Sequence, residues 1–284
     1  MATALRPDIE STPGPGAPEP PVRRATALQQ LLGWLVHLYT ALGLVAAAGI
    51  AVLTLRGGAE VLRDIFLLML VATVIDSTDG VLARRARVRE VVPGFDGRRL
   101  DDLTDFLTYA VLPLLLLYRL DIPHGFTTWL LCPLLASAYG FCQSSIKTTD
   151  GYFLGFPSYW NVVAFYLCAL HPVTPELALG VILLASLLTF VPSRYFYPTQ
   201  PGRLNRLTCV LAVLWGILTL GALGTWAAAP PSPGCFASDT ARSLARLSML
   251  FPIYYMVASW ALSLWLWWRA ARAVPPATSR GAGA

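Results

Sequence analysis

About eight apolar stretches divide this sequence, near residues 31–55, 60–83, 100–118, 125–146, 157–171, 174–192, 204–228 and 244–268. A helix that crosses a bilayer needs roughly 20 mostly apolar residues. Backbone groups in lipid must be satisfied within the segment itself, so runs of this kind fold as helices. The chain is 56% hydrophobic and 13% charged, against about 25% charged in an ordinary soluble domain. No single globular core absorbs that deficit. The expectation is an all-α, polytopic membrane bundle of about eight transmembrane helices.

The ends fit that reading. Residues 1–21 are rich in Pro and Ala, with no apolar stretch, and are expected to form a disordered tail; they lack the apolar region of a signal peptide. Residues 22–30, with Arg23 and Arg24, suit an interfacial helix. The membrane domain is expected over 31–270, followed by a disordered tail over 271–284. With the N-terminus inside, the cytoplasmic segments hold 16 of the 21 Lys and Arg, and the opposite side holds Arg56, Arg63, Arg119, Arg242 and Arg246. Both termini are therefore expected in the cytoplasm. The net charge of +5 belongs to those loops, and no nucleic-acid partner is expected. The five cysteines show neither a CxxC pair nor metal-ligand spacing.

The informative stretch joins the second run to the third. Asp76, Asp79, Gly80 and Ala83 are spaced i, i+3, i+4, i+7, and Gly97, Asp101 and Asp105 are spaced i, i+4, i+8. Each set occupies one helical face. Two antiparallel helices with such faces bring four carboxylates together just below the cytoplasmic surface. Clustered carboxylates repel one another and lose hydration, so such a cluster persists when cations neutralise it. Oxygen-only ligands favour hard ions such as Mg²⁺ or Mn²⁺, and two of them clamp a pyrophosphate. Gly80 and Ala83 keep bulk off the acidic face, leaving room for a flat nucleotide. The alternative, acids in a solvated loop paired with nearby arginines, suits Asp96 and Asp102, which fall off the two faces. It suits Asp76, Asp79 and Asp105 poorly, because ionisable residues inside spanning segments are usually functional.

The residues Asp76, Asp79, Gly80, Ala83, Arg84, Gly97, Asp101 and Asp105 resemble the signature of the CDP-alcohol phosphotransferase family, D-x2-D-G-x2-A-R, a spacer, then G-x3-D-x3-D. The usual spacer is eight residues, whereas Arg85 to Asp96 is twelve. That longer spacer is similar to the bacterial, choline-accepting branch of the family. The segments His37–Gly43 and Lys147–Asn161 point the same way, and the resemblance covers about residues 26 to 270.

The resemblance implies an enzyme of the bacterial cytoplasmic membrane that condenses CDP-diacylglycerol with choline to give phosphatidylcholine and CMP. Its active site would lie at the cytoplasmic edge among membrane lipids. By the same resemblance, Asp76, Asp79 and Asp101 ligate two Mn²⁺ or Mg²⁺ ions. Asp105 touches the second ion and acts as general base on the acceptor hydroxyl. Gly80, Ala83, Arg84, Gly97 and Thr40 are the candidates for nucleotide and phosphate binding. A homodimer is also implied.

Choline's trimethylammonium head is held by aromatic faces. The acceptor candidates are Tyr152, Tyr159, Trp160 and Asn161, with Asp150 as a counter-charge; an interfacial aromatic belt is the plainer reading of the same rings. Two other functions compete. One keeps the enzyme and exchanges the acceptor for serine, glycerol phosphate or inositol phosphate, although the basic residues single out no pocket for a phosphorylated acceptor. The other is an ion-coupled transporter, which the absence of a visible sequence repeat disfavours.

Overall fold

The computed structural model describes residues 25–143, 152–170, 172–196, 203–226 and 238–273. The expected tail over 1–21 and the candidate Asp150 lie outside the described residues, as does Lys147.

The first helix, α1 (Ala27–Arg56), begins at a capping box. Thr26 Oγ1 accepts from the Gln29 amide, and Gln29 Oε1 accepts from the Thr26 amide, at 3.3 and 2.9 Å. The cap starts one continuous helix, so residues 27–30 form its first turn, with no break where a separate interfacial helix is expected from sequence. Thirty residues make about 45 Å of helix, more than a hydrocarbon core of about 30 Å. Its faces are inverted relative to a soluble helix. Leu28, Leu31, Leu35, Leu38 and Leu42 point outward, while Gly33, His37, Thr40, Gly43 and Ala46 are buried. Small and polar residues facing inward let neighbouring backbones approach closely.

A turn at Ala59–Val61 leads into α2 (Leu62–Arg85), which packs along α1. Arg87, in the left-handed region at φ 49°, reverses the chain into the one-turn helix α3 (Val88–Val91). Next comes α4 (Gly97–Asp105), capped by the Asp96 side chain on the Arg99 amide. It passes without interruption through a π turn at Phe106–Val111 into α5 (Leu112–Arg119). The later helices are α6 (Leu131–Cys142), α7 (Trp160–Ala169), α8 (Pro175–Leu188), α9 (Arg203–Gly224), α10 (Asp239–Ser248) and α11 (Leu250–Ala273).

Among the described residues, four helices are long and apolar enough to cross a membrane: Ala27–Arg56, Ala59–Arg85, Leu204–Gly224 and Asp239–Arg269. The chain is thus an all-α integral membrane protein. Thr127–Cys142, Trp160–Ala169 and Pro175–Leu188 are apolar but shorter. At ten residues, α7 rises only about 15 Å and spans half a bilayer at most.

Two short strands, β1 (Tyr152–Leu154) and β2 (Arg194–Phe196), pair antiparallel, with Tyr152 opposite Phe196 and Leu154 opposite Arg194. The free edge of β2 is covered by a stripe of α11. Ser263 Oγ accepts from the Arg194 amide at 2.6 Å, Ser259 Oγ accepts from the Phe196 amide at 3.4 Å, and the Tyr255 hydroxyl donates to the Phe196 carbonyl at 2.9 Å. Residues i, i+4 and i+8 of one helix thus satisfy backbone groups that an edge strand leaves open. After β1, Gly155 (φ 80°) turns the chain where a Cβ would sit 2.3 Å from the Thr189 carbonyl oxygen. The ribbon sets the entry to α7, and with it the position of Tyr159.

Candidate metal and phosphate site

Packing between α1 and α4 is close because glycines face bulk. A Cβ on Gly43 would lie 2.5 Å from Thr104 Cγ2, and one on Gly97 would lie 2.4 Å from His37 Cε1. Gly97 therefore has a packing role: it admits the His37 ring, which is buried against Trp34 and Phe95 with centroids 5.7 and 4.4 Å away.

With the three helices at this separation, Asp76 of α2 meets Asp101 and Asp105 of α4. One carboxylate oxygen from each lies within 4.8 Å of the other two, and all three residues are half-buried. Asp79 stands outside this trio. It is buried, and its Oδ2 accepts a 2.8 Å hydrogen bond from Thr40 of α1. Thr40, expected at the nucleotide, instead spends its hydroxyl on Asp79, because α1 packs directly on that turn of α2.

The donor set is oxygen only, from two helices joined by a short connection, and three carboxylates in so small a volume suit a hard divalent cation. The neighbouring acids behave differently. Asp96 pairs with Arg99 at 3.2 Å and Asp102 with Arg98 at 4.0 Å, both on the exposed side of α4. These are the two residues that fall off the acidic faces, and exposed pairs of this kind contribute little stability.

Gly80 and Ala83 continue the acidic face of α2 toward its end, both half-buried. Arg84 folds back along this face: its Nη1 lies 3.4 Å from where a Gly80 Cβ would be. An exposed guanidinium beside a bare stretch of helix suits a phosphate.

Tyr109 joins the site without belonging to any sequence motif. It lies one turn beyond Asp105, is buried, and donates to Asp76 Oδ2 at 2.8 Å. The available signal is its spacing of four from Asp105, but a tyrosine in an apolar run reads as ordinary core.

The acceptor candidates separate. Trp160 is fully buried and its indole donates to Ser137 Oγ at 2.7 Å, so the structure places it in the packing core and leaves no open ring face. Asn161 is buried and donates to Thr73 Oγ1 at 3.2 Å, one turn before Asp76. Tyr152 lies beside Phe196 in the ribbon, at 6.3 Å. Tyr159 is half-buried, with Tyr109 at 6.0 Å and Tyr255 at 6.2 Å.

No family model matches the chain. It is similar to several proteins named phosphatidylcholine synthase. That of Pseudomonas aeruginosa is 34% identical over 194 residues, 67% of this chain and 79% of the relative. That of Borreliella burgdorferi is 30% identical over 188 residues, 65% and 78% of the two chains. That of Bradyrhizobium diazoefficiens is 35% identical over 212 residues, 70% and 72%.

Proposed function

The chain belongs to the phosphatidylcholine synthase family, and on that premise we propose that it condenses CDP-diacylglycerol with choline, forming phosphatidylcholine and CMP. The observation that carries the mechanism is the gathering of Asp76, Asp101 and Asp105 within 4.8 Å. Relatedness supports the choice of product, and the trio supports the choice of site.

Asp76, Asp79 and Asp101 would hold divalent metal, Mn²⁺ or Mg²⁺ as two ions, with Asp105 shared to the second. Bound there, the ions would neutralise the pyrophosphate and stabilise the leaving CMP. This chain's own residues do the rest. Arg84 holds a phosphate oxygen beside Gly80 and Ala83, whose small side chains leave the helix face open to the nucleotide. Asp105 takes the proton of the acceptor hydroxyl, an alcohol being a weak nucleophile until a base removes it. The freed oxygen bonds to the phosphorus carrying the diacylglycerol, the bond from that phosphorus to the CMP oxygen breaks, and CMP departs.

The same proposal puts the site at the inner edge of the bacterial cytoplasmic membrane, with both termini in the cytoplasm. In the same proposal all eight apolar stretches contribute to the bundle.

The purified full chain, in mixed micelles of CDP-diacylglycerol with Mn²⁺, is offered labelled choline, serine, glycerol phosphate or inositol phosphate in turn. Incorporation of choline with one CMP released per lipid formed, abolished by chelator, is expected. Incorporation of another alcohol in place of choline refutes the acceptor, and activity that survives chelation refutes the metal.

A further inference from the structure

Choline imposes a length constraint that the signature residues do not address, and a subsite for it rests on the choline-transferring activity proposed for this chain. Choline joins its hydroxyl to its quaternary nitrogen through two carbons, so bonds of about 1.5 Å keep nitrogen and oxygen within roughly 4 Å. If the hydroxyl is beside Asp105, the cationic head lies against the carboxylate cluster itself. A ring several residues away along the ribbon cannot serve it.

Tyr109 hydrogen-bonds the cluster, donating to Asp76 at 2.8 Å. A row continues from it. Tyr159 is 6.0 Å from Tyr109 with planes inclined at 53°, and Tyr255 is 6.2 Å from Tyr159 at 59°. Tyr255 is anchored to the ribbon, its hydroxyl donating to the Phe196 carbonyl at 2.9 Å. Tyr109 and Tyr255 are buried, whereas Tyr159 between them is half-buried. The π turn before α5, the start of α7 and the second turn of α11 thus join at one row of electron-rich rings that ends on a carboxylate.

We propose that Tyr109, Tyr159 and Tyr255 form the subsite for the acceptor's quaternary ammonium, with Tyr159 presenting its ring and the other two fixing it beside Asp76. Ring quadrupoles attract a cation, and neither a neutral head nor a phosphate gains from them. The row accounts for an acceptor choice that the metal-binding residues, indifferent to the alcohol, do not make.

The test uses the full chain in mixed micelles and compares choline with 3,3-dimethylbutan-1-ol, in which carbon replaces the charged nitrogen at nearly the same shape. The wild type is expected to prefer choline. Tyr159→Leu is expected to raise the choline KM about tenfold, to raise the CDP-diacylglycerol KM much less, and to narrow the preference over the neutral alcohol. An unchanged choline KM, or equal rises for both alcohols, overturns the subsite. If Tyr159→Leu does not fold, phenylalanines with increasing numbers of fluorines at position 159 carry the test at constant size. A choline KM climbing with fluorine number supports the subsite, and a flat series overturns it. A wild-type protein that makes no phosphatidylcholine from choline overturns the proposed activity instead, so the two failures are distinguishable.

Discussion

The hydroxyl of Thr40 donates to Oδ2 of Asp79 across the α1–α2 contact, at 2.8 Å, with both residues buried. The bond fixes one carboxylate of the signature in place through a helix that carries none of the signature. Thr40→Val keeps the shape and removes the donor. Groups that orient a metal ligand typically change affinity 10- to 100-fold when lost, so the Mn²⁺ concentration for half-maximal CMP release should rise by about that factor. Thr40→Ser should restore most of it. Equal metal dependence in Thr40→Val and wild type would show that Asp79 needs no such support.

The glycine contact between α1 and α4 makes a paired prediction. Gly43→Ala drives a methyl into Thr104 Cγ2, and overpacking of this kind costs about 1–3 kcal/mol. Thr104→Ser removes that methyl while keeping the Oγ that donates to the Leu100 carbonyl at 2.8 Å. The double variant should recover most of the thermal stability in detergent that Gly43→Ala loses. Additive losses in the double variant would mean that the two helices are held apart by something else.

Asp105 and Asp102 lie three residues apart on one helix and should behave as opposites. Asp105→Asn should abolish turnover while leaving CDP-diacylglycerol binding largely intact, measured by equilibrium binding of the labelled lipid nucleotide. Asp102→Asn breaks only the exposed pair with Arg98 and should stay within about twofold of wild-type activity, since such pairs contribute roughly 0–1 kcal/mol. Near-normal turnover by Asp105→Asn would remove its assignment as the base.

The ribbon gives a ranking. Ser263 both accepts from the Arg194 amide, at 2.6 Å, and donates to its carbonyl, at 3.1 Å, whereas Ser259 reaches the Phe196 amide at 3.4 Å. Leaving buried backbone groups unpaired costs about 1–3 kcal/mol. Ser263→Ala should therefore lower the unfolding temperature more than Ser259→Ala, and the reverse order would assign the strand's anchoring to the longer bond.

Periodicity makes the acidic site legible in the sequence. Asp76, Asp101 and Asp105 declare themselves because a charge recurring every three or four residues in an apolar run has few explanations, and the exposed pairing of Asp96 and Asp102 comes from the same arithmetic. The ribbon has no such signal: three-residue strands are too short to display alternation, and their hydrogen bonds run to a helix some sixty residues away. Trp160 illustrates the opposite failure. An aromatic near a loop looks available in sequence, and only the Ser137 hydroxyl beneath its indole shows that it is core. Tyr109 and Tyr255 are hidden for the same reason reversed, being polar-tipped rings in apolar runs that read as ordinary core.

The π turn at Phe106–Val111 divides one rod into two functional halves. Upstream, Asp101 and Asp105 must look toward α2; downstream, Leu112, Leu114, Leu116 and Leu117 must enter the apolar interior. A wider turn absorbs one residue beyond the regular count, so the two orientations are set independently. Excising a single residue there would rotate everything after it by about 100°, and the chain would have to surrender either its carboxylate geometry or its leucine packing. Length in this stretch is therefore under tighter constraint than the identity of most side chains it carries.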